Sequence, residues 1–77
     1  MKTIIDVRSQ GEFDGGNVPG SINIPLQEIP GRVDEIKNMT GPITLICLSG
    51  NRSGQAAAFL QARGVACENG GSWLSFR

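Results

Sequence analysis

Residues 43–54 of the chain read ITLICLSGNRSG. The apolar run from Ile43 to Ile46 is typical of a buried strand, and a helical pattern begins at about Ser53. Cys47 is therefore expected in a short polar loop at a strand-to-helix turn. Such a turn directs backbone N–H groups and the positive end of a helix dipole at one point, where they favour an anion. The same field lowers the pKa of a thiol and raises its thiolate fraction.

Cys47 has a structural interpretation beside this chemical one. Free cysteine is among the most frequently buried residue types, and a cysteine at the end of an apolar strand is often a packing residue. Gly50 and the small polar residues around it favour the chemical interpretation, because a packing residue needs no loop folded around its sulfur. Arg52 adds a full positive charge that can neutralise an anionic substrate or product.

The loop and three further segments resemble one known family. Residues 47–53, CLSGNRS, resemble the active-site loop of single-domain rhodaneses, which are sulfurtransferases that carry sulfur as a cysteine persulfide. The other matching segments follow in the family's order: Ile5–Arg8 with Glu12 and Phe13, Val18–Pro25, and Asn69–Gly71 followed by Trp73. Four motifs in the right order cover nearly the whole chain and are much more specific than any one of them alone.

Alternation of strands and helices predicts an α/β domain with a parallel sheet and right-handed crossovers. The predicted strands are residues 3–7, 21–24, 43–46 and 65–68. The resemblance implies a small rhodanese-like domain with a four-stranded parallel sheet in the order 4-3-1-2, flanked by helices and formed by residues 1–77 as one domain. Ligands of such sheets bind beyond the carboxyl ends of the strands, where Cys47 emerges.

The helices are predicted from apolar periodicity and from breakers. Residues 26–39 are helical in outline, with a turn over residues 26–29 and the main helix from Pro30 or Gly31. The helix after the loop has Ser53 as its N-cap and ends at Gly64. A turn is predicted at residues 70–71. Three apolar residues are then expected to close over the sheet or the loop: Trp73, Leu74 and Phe76.

Composition excludes several classes of partner. The chain has 77 residues, near the lower limit for a domain that folds on its own core, and its seven basic and seven acidic residues cancel. With no basic excess, neither nucleic acid nor an anionic membrane is expected as a partner. No signal region follows Met1 and no run is long enough to span a bilayer. The expected compartment is the cytoplasm, or the periplasm if Met1 is only a start codon placed on a processed chain.

The two cysteines and the absence of histidine constrain the chemistry. A secreted domain stapled by disulfides would carry more cysteines, so these are expected to act as thiols. Two widely separated cysteines without histidine cannot complete a zinc site, so no metal and no cofactor are predicted. Because no histidine can pair with Cys47, its thiolate must be stabilised by amides, the helix end and Arg52. Cys67 is expected to pack, and a disulfide with Cys47 or a resolving role remains an alternative.

Asp6 is a charge inside an apolar strand, and a buried carboxylate needs a partner. It is predicted to cap loop amides or to pair with Arg8. The resemblance places this Asp-x-Arg pair beside the active loop, which implies a supporting role. A surface pair between Arg8 and Glu12, one helical turn apart, is also predicted. The family usually has a histidine where Asn17 stands, so any protonation switch at that position is lost.

The resemblance implies a sulfurtransferase with Cys47 as its nucleophile. Sulfur would move from a small anionic donor such as thiosulfate to cyanide, a cellular thiol or a protein thiol, through a persulfide on Cys47. The residues implied to bind the substrate and the persulfide are Leu48, Ser49, Gly50, Asn51, Arg52 and Ser53.

Two other functions remain open for this loop. Cysteine phosphatases and arsenate reductases place five residues between the cysteine and the arginine, whereas four, Leu48–Asn51, separate Cys47 from Arg52. The smaller ring suits a single sulfur better than a phosphoryl group. The other function is a non-catalytic carrier that accepts persulfide from a larger partner. It shares Cys47 with the enzyme but should turn over poorly with thiosulfate.

Overall fold

The computed structural model describes residues 2–77, and four strands form its one sheet. Strand β1 is Thr3–Asp6, β2 is Ile22–Asn23, β3 is Ile43–Cys47 and β4 is Cys67–Ser72. All neighbouring strands are parallel, and their order is β2-β1-β3-β4. This is the predicted order 4-3-1-2 counted from the opposite edge, so the predicted fold class is confirmed.

Helices flank the sheet: α1 is Gln10–Asp14, α2 is Val33–Lys37 and α3 is Asn51–Gln61, with 3-10 segments over Leu26–Arg32 and Trp73–Ser75. The α-helix predicted from residue 30 or 31 begins only at Val33. Pro30 lies inside the first 3-10 segment, where it removes a backbone donor. None of the helices in residues 2–77 is long and apolar enough to cross a membrane.

Helix α1 is absent from the sequence-based prediction, although a local signal marks its start. Ser9 is its N-cap and accepts a hydrogen bond from the Glu12 N–H, while the Glu12 carboxylate accepts one from the Ser9 N–H. This reciprocal arrangement is a capping box, whose sequence signature is Ser-x-x-Glu. The capping box fixes Glu12 at the start of α1.

Strand β3 is the centre of the core, and all five of its residues are buried. Strands of a parallel sheet that are covered on both faces have continuous apolar sequences of this kind. The buried cluster contains Ile5, Val7, Ile24, Ile29, Ile36, Ile43, Leu45, Cys47, Ala56, Ala57, Leu60 and Val65. Cys47 therefore belongs to the core as well as to the edge of the sheet where ligands of this fold class bind.

Helix α3 begins two residues earlier than predicted. Its first residue is Asn51, and its N-cap is Gly50, which has a left-handed φ of 95°. The prediction of Ser53 as the N-cap is wrong, because Ser53 lies in the first turn. Glycine adopts this φ without steric cost, so the chain turns directly from β3 into the helix. The amide groups of the first turn are thereby brought close to Cys47.

The prediction that Gly64 stops α3 is confirmed. Gly64 has a φ of 82°. Its N–H donates to the Gln61 carbonyl, while the Val65 N–H donates to the Leu60 carbonyl at 3.0 Å. These paired bonds with a left-handed glycine form a Schellman end, which stops the helix before the chain enters β4.

Strand β4 is later and longer than predicted. It runs over Cys67–Ser72, whereas residues 65–68 were expected. Gly70 and Gly71 lie within the strand, so the predicted turn is wrong. The register against β3 shifts at this point, and Gly70 is the extra residue of a bulge. Glycine inside a strand is a recognised mark of a bulge, which competes with the turn interpretation.

The C-terminal apolar residues pack as predicted at two of three positions. The ring of Phe76 lies against Gly70 of β4. The Trp73 ring lies against the Arg8 guanidinium at 4.3 Å from its centroid. Leu74 is 51% exposed, so its predicted place in the closing patch is wrong. The short 3-10 segment over Trp73–Ser75 turns this side chain into solvent.

Candidate active site

The Cys47 sulfur lies at the carboxyl end of β3 and faces the start of α3. Its Sγ accepts hydrogen bonds from the Gly50 N–H at 3.0 Å and from the Ser53 N–H at 3.4 Å. The first N–H groups of a helix lack partners inside the helix and normally bind a capping side chain. The N-cap residue Gly50 supplies no such side chain. The sulfur of Cys47 therefore takes the place of a capping oxygen.

Two opposing effects act on the Cys47 thiol. Burial leaves the residue with 0% exposure and raises the pKa, because the thiolate loses its water. Hydrogen bonds from the Ser53 side chain and from the Ser53, Gly50 and Ser49 amides favour the thiolate. They outweigh burial, and the pKa of Cys47 lies below its ordinary value. The packing and the chemical interpretations of this residue are therefore compatible.

A side chain on β4 holds this arrangement together. Ser53 Oγ donates to Asn69 Oδ1 at 2.6 Å and lies 3.3 Å from the Cys47 sulfur. The Asn69 amide also donates to the Gly50 carbonyl at 3.0 Å. Asn69 was not predicted to join the site. Asn69 directly follows the predicted strand of residues 65–68, and that place is the signal that could have found it.

The Arg52 guanidinium contacts a carboxylate. Its Nη1 and Nη2 atoms lie 2.7 and 3.0 Å from the two carboxylate oxygens of Glu12. The two side chains are 34% and 35% exposed. The pKa of Glu12 falls to about 2, chiefly because of the hydrogen bond from Arg52. The predicted surface pair between Arg8 and Glu12 is wrong, since the Glu12 carboxylate binds Arg52 instead.

The predicted pair between Asp6 and Arg8 is present and buried. Asp6 is 0% exposed and Arg8 is 3% exposed. The Asp6 carboxylate accepts from the Arg8 N–H at 3.0 Å and from its guanidinium at 2.7 and 3.0 Å. Arg8 also donates to the carbonyls of Glu12 and Gly16 and stacks on Trp73. The pair joins β1, α1 and the C-terminal segment.

The other predicted binding residues expose their side chains. Leu48 is 51% exposed, and Ser49 and Asn51 are exposed as well. The loop thus approaches the sulfur with its main chain, through Gly50 and the first turn of α3. Within residues 2–77, no group of three or more His, Cys, Asp and Glu side chains is placed to hold a metal ion.

Cys67 lies far from Cys47 along the sheet. Ile43 pairs with Cys67, whereas Cys47 pairs with Ser72. Four residues of strand span about 13 Å, and a disulfide needs Cα atoms within about 7 Å. The alternatives of a disulfide or a resolving role toward Cys47 are therefore wrong within one chain. Cys67 packs against the core as predicted, donates weakly to the Ala57 carbonyl at 3.7 Å, and has a pKa raised by burial.

The sequence and the fold of this chain are similar to those of known proteins. Residues 1–74 match the family model of the rhodanese-like domain. The structure titled "rhodanese with anions from E. coli" superposes with a TM-score of 0.84 at 32% sequence identity, covering 96% of this chain and 89% of that one.

Two curated relatives carry names that concern sulfur. "Thiosulfate sulfurtransferase PspE" of Escherichia coli is 35% identical over 69 residues, which are 87% of this chain and 66% of that protein. "Putative sulfur carrier protein YrkF" of Bacillus subtilis is 39% identical over 61 residues, which are 79% of this chain and 32% of that protein. The chain thus spans less than two thirds of either relative. The match over residues 1–74 and the shared fold show that this chain belongs to the family of rhodanese-like domains.

Proposed function

We propose that this domain transfers sulfane sulfur through a persulfide on Cys47. The observation that supports it most directly is the pair of hydrogen bonds from the Gly50 and Ser53 amides to the Cys47 sulfur. The thiolate is the nucleophilic form of cysteine, and these donors stabilise it. The chain has no histidine that could act as a base. The amide groups supply the activation that a histidine supplies in other cysteine enzymes.

The transfer takes two balanced steps. The Cys47 thiolate attacks the outer sulfur of thiosulfate, the S–S bond of the donor breaks, and its electron pair leaves with sulfite. Cys47 then carries a persulfide anion. Cyanide or a thiolate attacks the terminal sulfur of this persulfide, and the Cys47 thiolate is regenerated. Donor, persulfide and leaving group are all anions, so amides preorganised around one point stabilise each of them.

The residues of the loop have different roles in this proposal. Gly50 and Ser53 hold the charge on sulfur through their N–H groups, and the Ser53 hydroxyl lies 3.3 Å from the sulfur. Arg52 lies beside the loop with its guanidinium paired to the Glu12 carboxylate. Leu48, Ser49 and Asn51 line the exposed rim, where donor and acceptor arrive. Asp6 and Arg8 support the loop from β1.

The test of this proposal is intact-mass spectrometry of the reduced protein after treatment with thiosulfate. The protein is expected to gain the mass of one sulfur atom, and cyanide should remove it. The Cys67→Ser variant should gain the same mass, because Cys67 has a raised pKa and lies far from the loop. A protein that gains no sulfur from thiosulfate or from a persulfide donor would contradict the proposal.

A carrier is the second candidate, and the name of the relative YrkF favours it. A carrier also forms the persulfide on Cys47, but it loads from a protein donor and turns over slowly with thiosulfate. Steady-state rates with thiosulfate and cyanide distinguish the two functions. A phosphatase is not proposed, because four residues between Cys47 and Arg52 make a small ring and the Arg52 guanidinium is bound by Glu12.

A further inference from the structure

The charge of Arg52 is already paired inside the protein. Both of its terminal nitrogens face the two carboxylate oxygens of Glu12. The nearby Asp6 carboxylate is itself neutralised by the buried guanidinium of Arg8. The charges of these two pairs cancel, so neither guanidinium offers an uncompensated positive charge to a donor. An anion that approaches the loop is therefore stabilised by main-chain amides and not by a free guanidinium.

We propose that Glu12 is a specificity-determining residue, which disfavours dianionic sulfur donors relative to monoanionic ones by occupying the guanidinium of Arg52. This inference rests on the proposed function and adds the class of donor to it. Thiosulfate carries two negative charges. A persulfide or a thiosulfonate carries one on its sulfur. Because the Coulomb energy scales with the charge of the donor, the Glu12 carboxylate opposes thiosulfate about twice as strongly as a monoanion of similar shape.

A structural role for Glu12 makes a different prediction. Glu12 also completes the capping box of α1 with Ser9, and Arg8 donates to its carbonyl. If Glu12 only fixed the position of Arg52, removing the charge of Glu12 would loosen the loop and weaken the binding of all anions alike. Glu12→Gln separates the two roles, because glutamine at this position of a capping box keeps the hydrogen bond to the N-cap while it removes the charge.

The test compares two donors of similar shape, thiosulfate and methanethiosulfonate, which differ by one charge. Their dissociation constants are measured by nuclear magnetic resonance titration in the Cys47→Ser background, where no sulfur is transferred. Glu12→Gln is expected to lower the dissociation constant of thiosulfate about fivefold and that of methanethiosulfonate about twofold. Added salt should reduce both effects, because the pair is partly exposed.

Asp14→Asn is the matched control. Asp14 lies on the same helix, carries the same charge and has no ion pair within the described residues. It is expected to change either dissociation constant by less than Glu12→Gln does. Weaker binding of both donors by the Glu12→Gln variant, or equal changes for the two, would overturn the proposal. Because the titration needs no sulfur transfer, its result stands apart from the persulfide test of the proposed function.

Discussion

Cys47→Ser is expected to reduce sulfur transfer from thiosulfate to cyanide at least about a thousandfold, to the uncatalysed background. Serine keeps an atom that can accept from the Gly50 and Ser53 amides, but its hydroxyl is not ionised and the chain has no histidine to deprotonate it. The measurement is the rate of thiocyanate formation, with circular dichroism to verify that the fold is retained.

The matched control is the other cysteine. Cys67→Ser removes a thiol that is half-buried, has a raised pKa and faces the Ala57 carbonyl at the opposite end of β4. Its rate is expected to equal that of the unmodified protein. If sulfur transfer survived in Cys47→Ser and were lost in Cys67→Ser, the nucleophile would be Cys67, and the assignment to Cys47 would be contradicted.

Asp6→Ala is expected to have the largest effect on stability. It leaves the Arg8 guanidinium buried at 3% exposure without its carboxylate, and removal of one partner of a buried ion pair costs about 3–5 kcal/mol. A domain of 77 residues has little stability to lose, so this variant should be largely unfolded at room temperature. Circular dichroism without denaturant measures the folded fraction of the variant, and urea denaturation of the unmodified protein gives the free energy of unfolding with which it is compared.

A surface pair supplies the control for this prediction. Glu35→Ala removes the carboxylate that binds Arg32, and the Glu35 side chain is 51% exposed. An exposed pair of this kind contributes little to stability, because water screens its charges. The same loss of stability in both variants would contradict the account of the buried pair between Asp6 and Arg8.

The elements with strong local signals were predictable from the sequence. The continuous apolar run of β3 fixes a buried strand, because the sheet is covered on both faces. Gly64 ends α3 because its φ of 82° is one that glycine adopts readily. The strand order came from the resemblance to a family. It did not follow from periodicity, which gives no information about which strands are neighbours.

The rest of the fold depended on contacts that are distant in sequence. Gly70 and Gly71 indicate a turn when they are considered locally, but pairing with β3 makes them part of a bulged strand. Ser53 has the side chain of an N-cap, yet Gly50 already turns the chain, and the Cys47 sulfur binds the free amides. Competition between such local and tertiary partners cannot be resolved from the sequence alone.

The sequence predicted the place of Cys47 at the end of β3, the loop that follows it and the ion pair between Asp6 and Arg8, but not the ion pair between Glu12 and Arg52. Glu12 lies one turn from Arg8 along the chain, which predicted a pair between them. The buried Asp6 carboxylate takes the Arg8 guanidinium, and Glu12 is then free to bind Arg52, 40 residues later in the sequence. Only the folded chain shows this exchange of partners, which leaves the charge of Arg52 paired with Glu12.

In the proposed mechanism, main-chain amides hold the Cys47 sulfur as an anion. The most direct test is the titration of thiolate ultraviolet absorbance against pH in the Cys67→Ser variant, where only Cys47 contributes. In the folded protein the thiolate is expected to persist to lower pH than in the chain unfolded by urea, because the pKa of Cys47 is lowered on folding. A folded protein that titrates at the same pH as the unfolded chain, or at a higher pH, would contradict it.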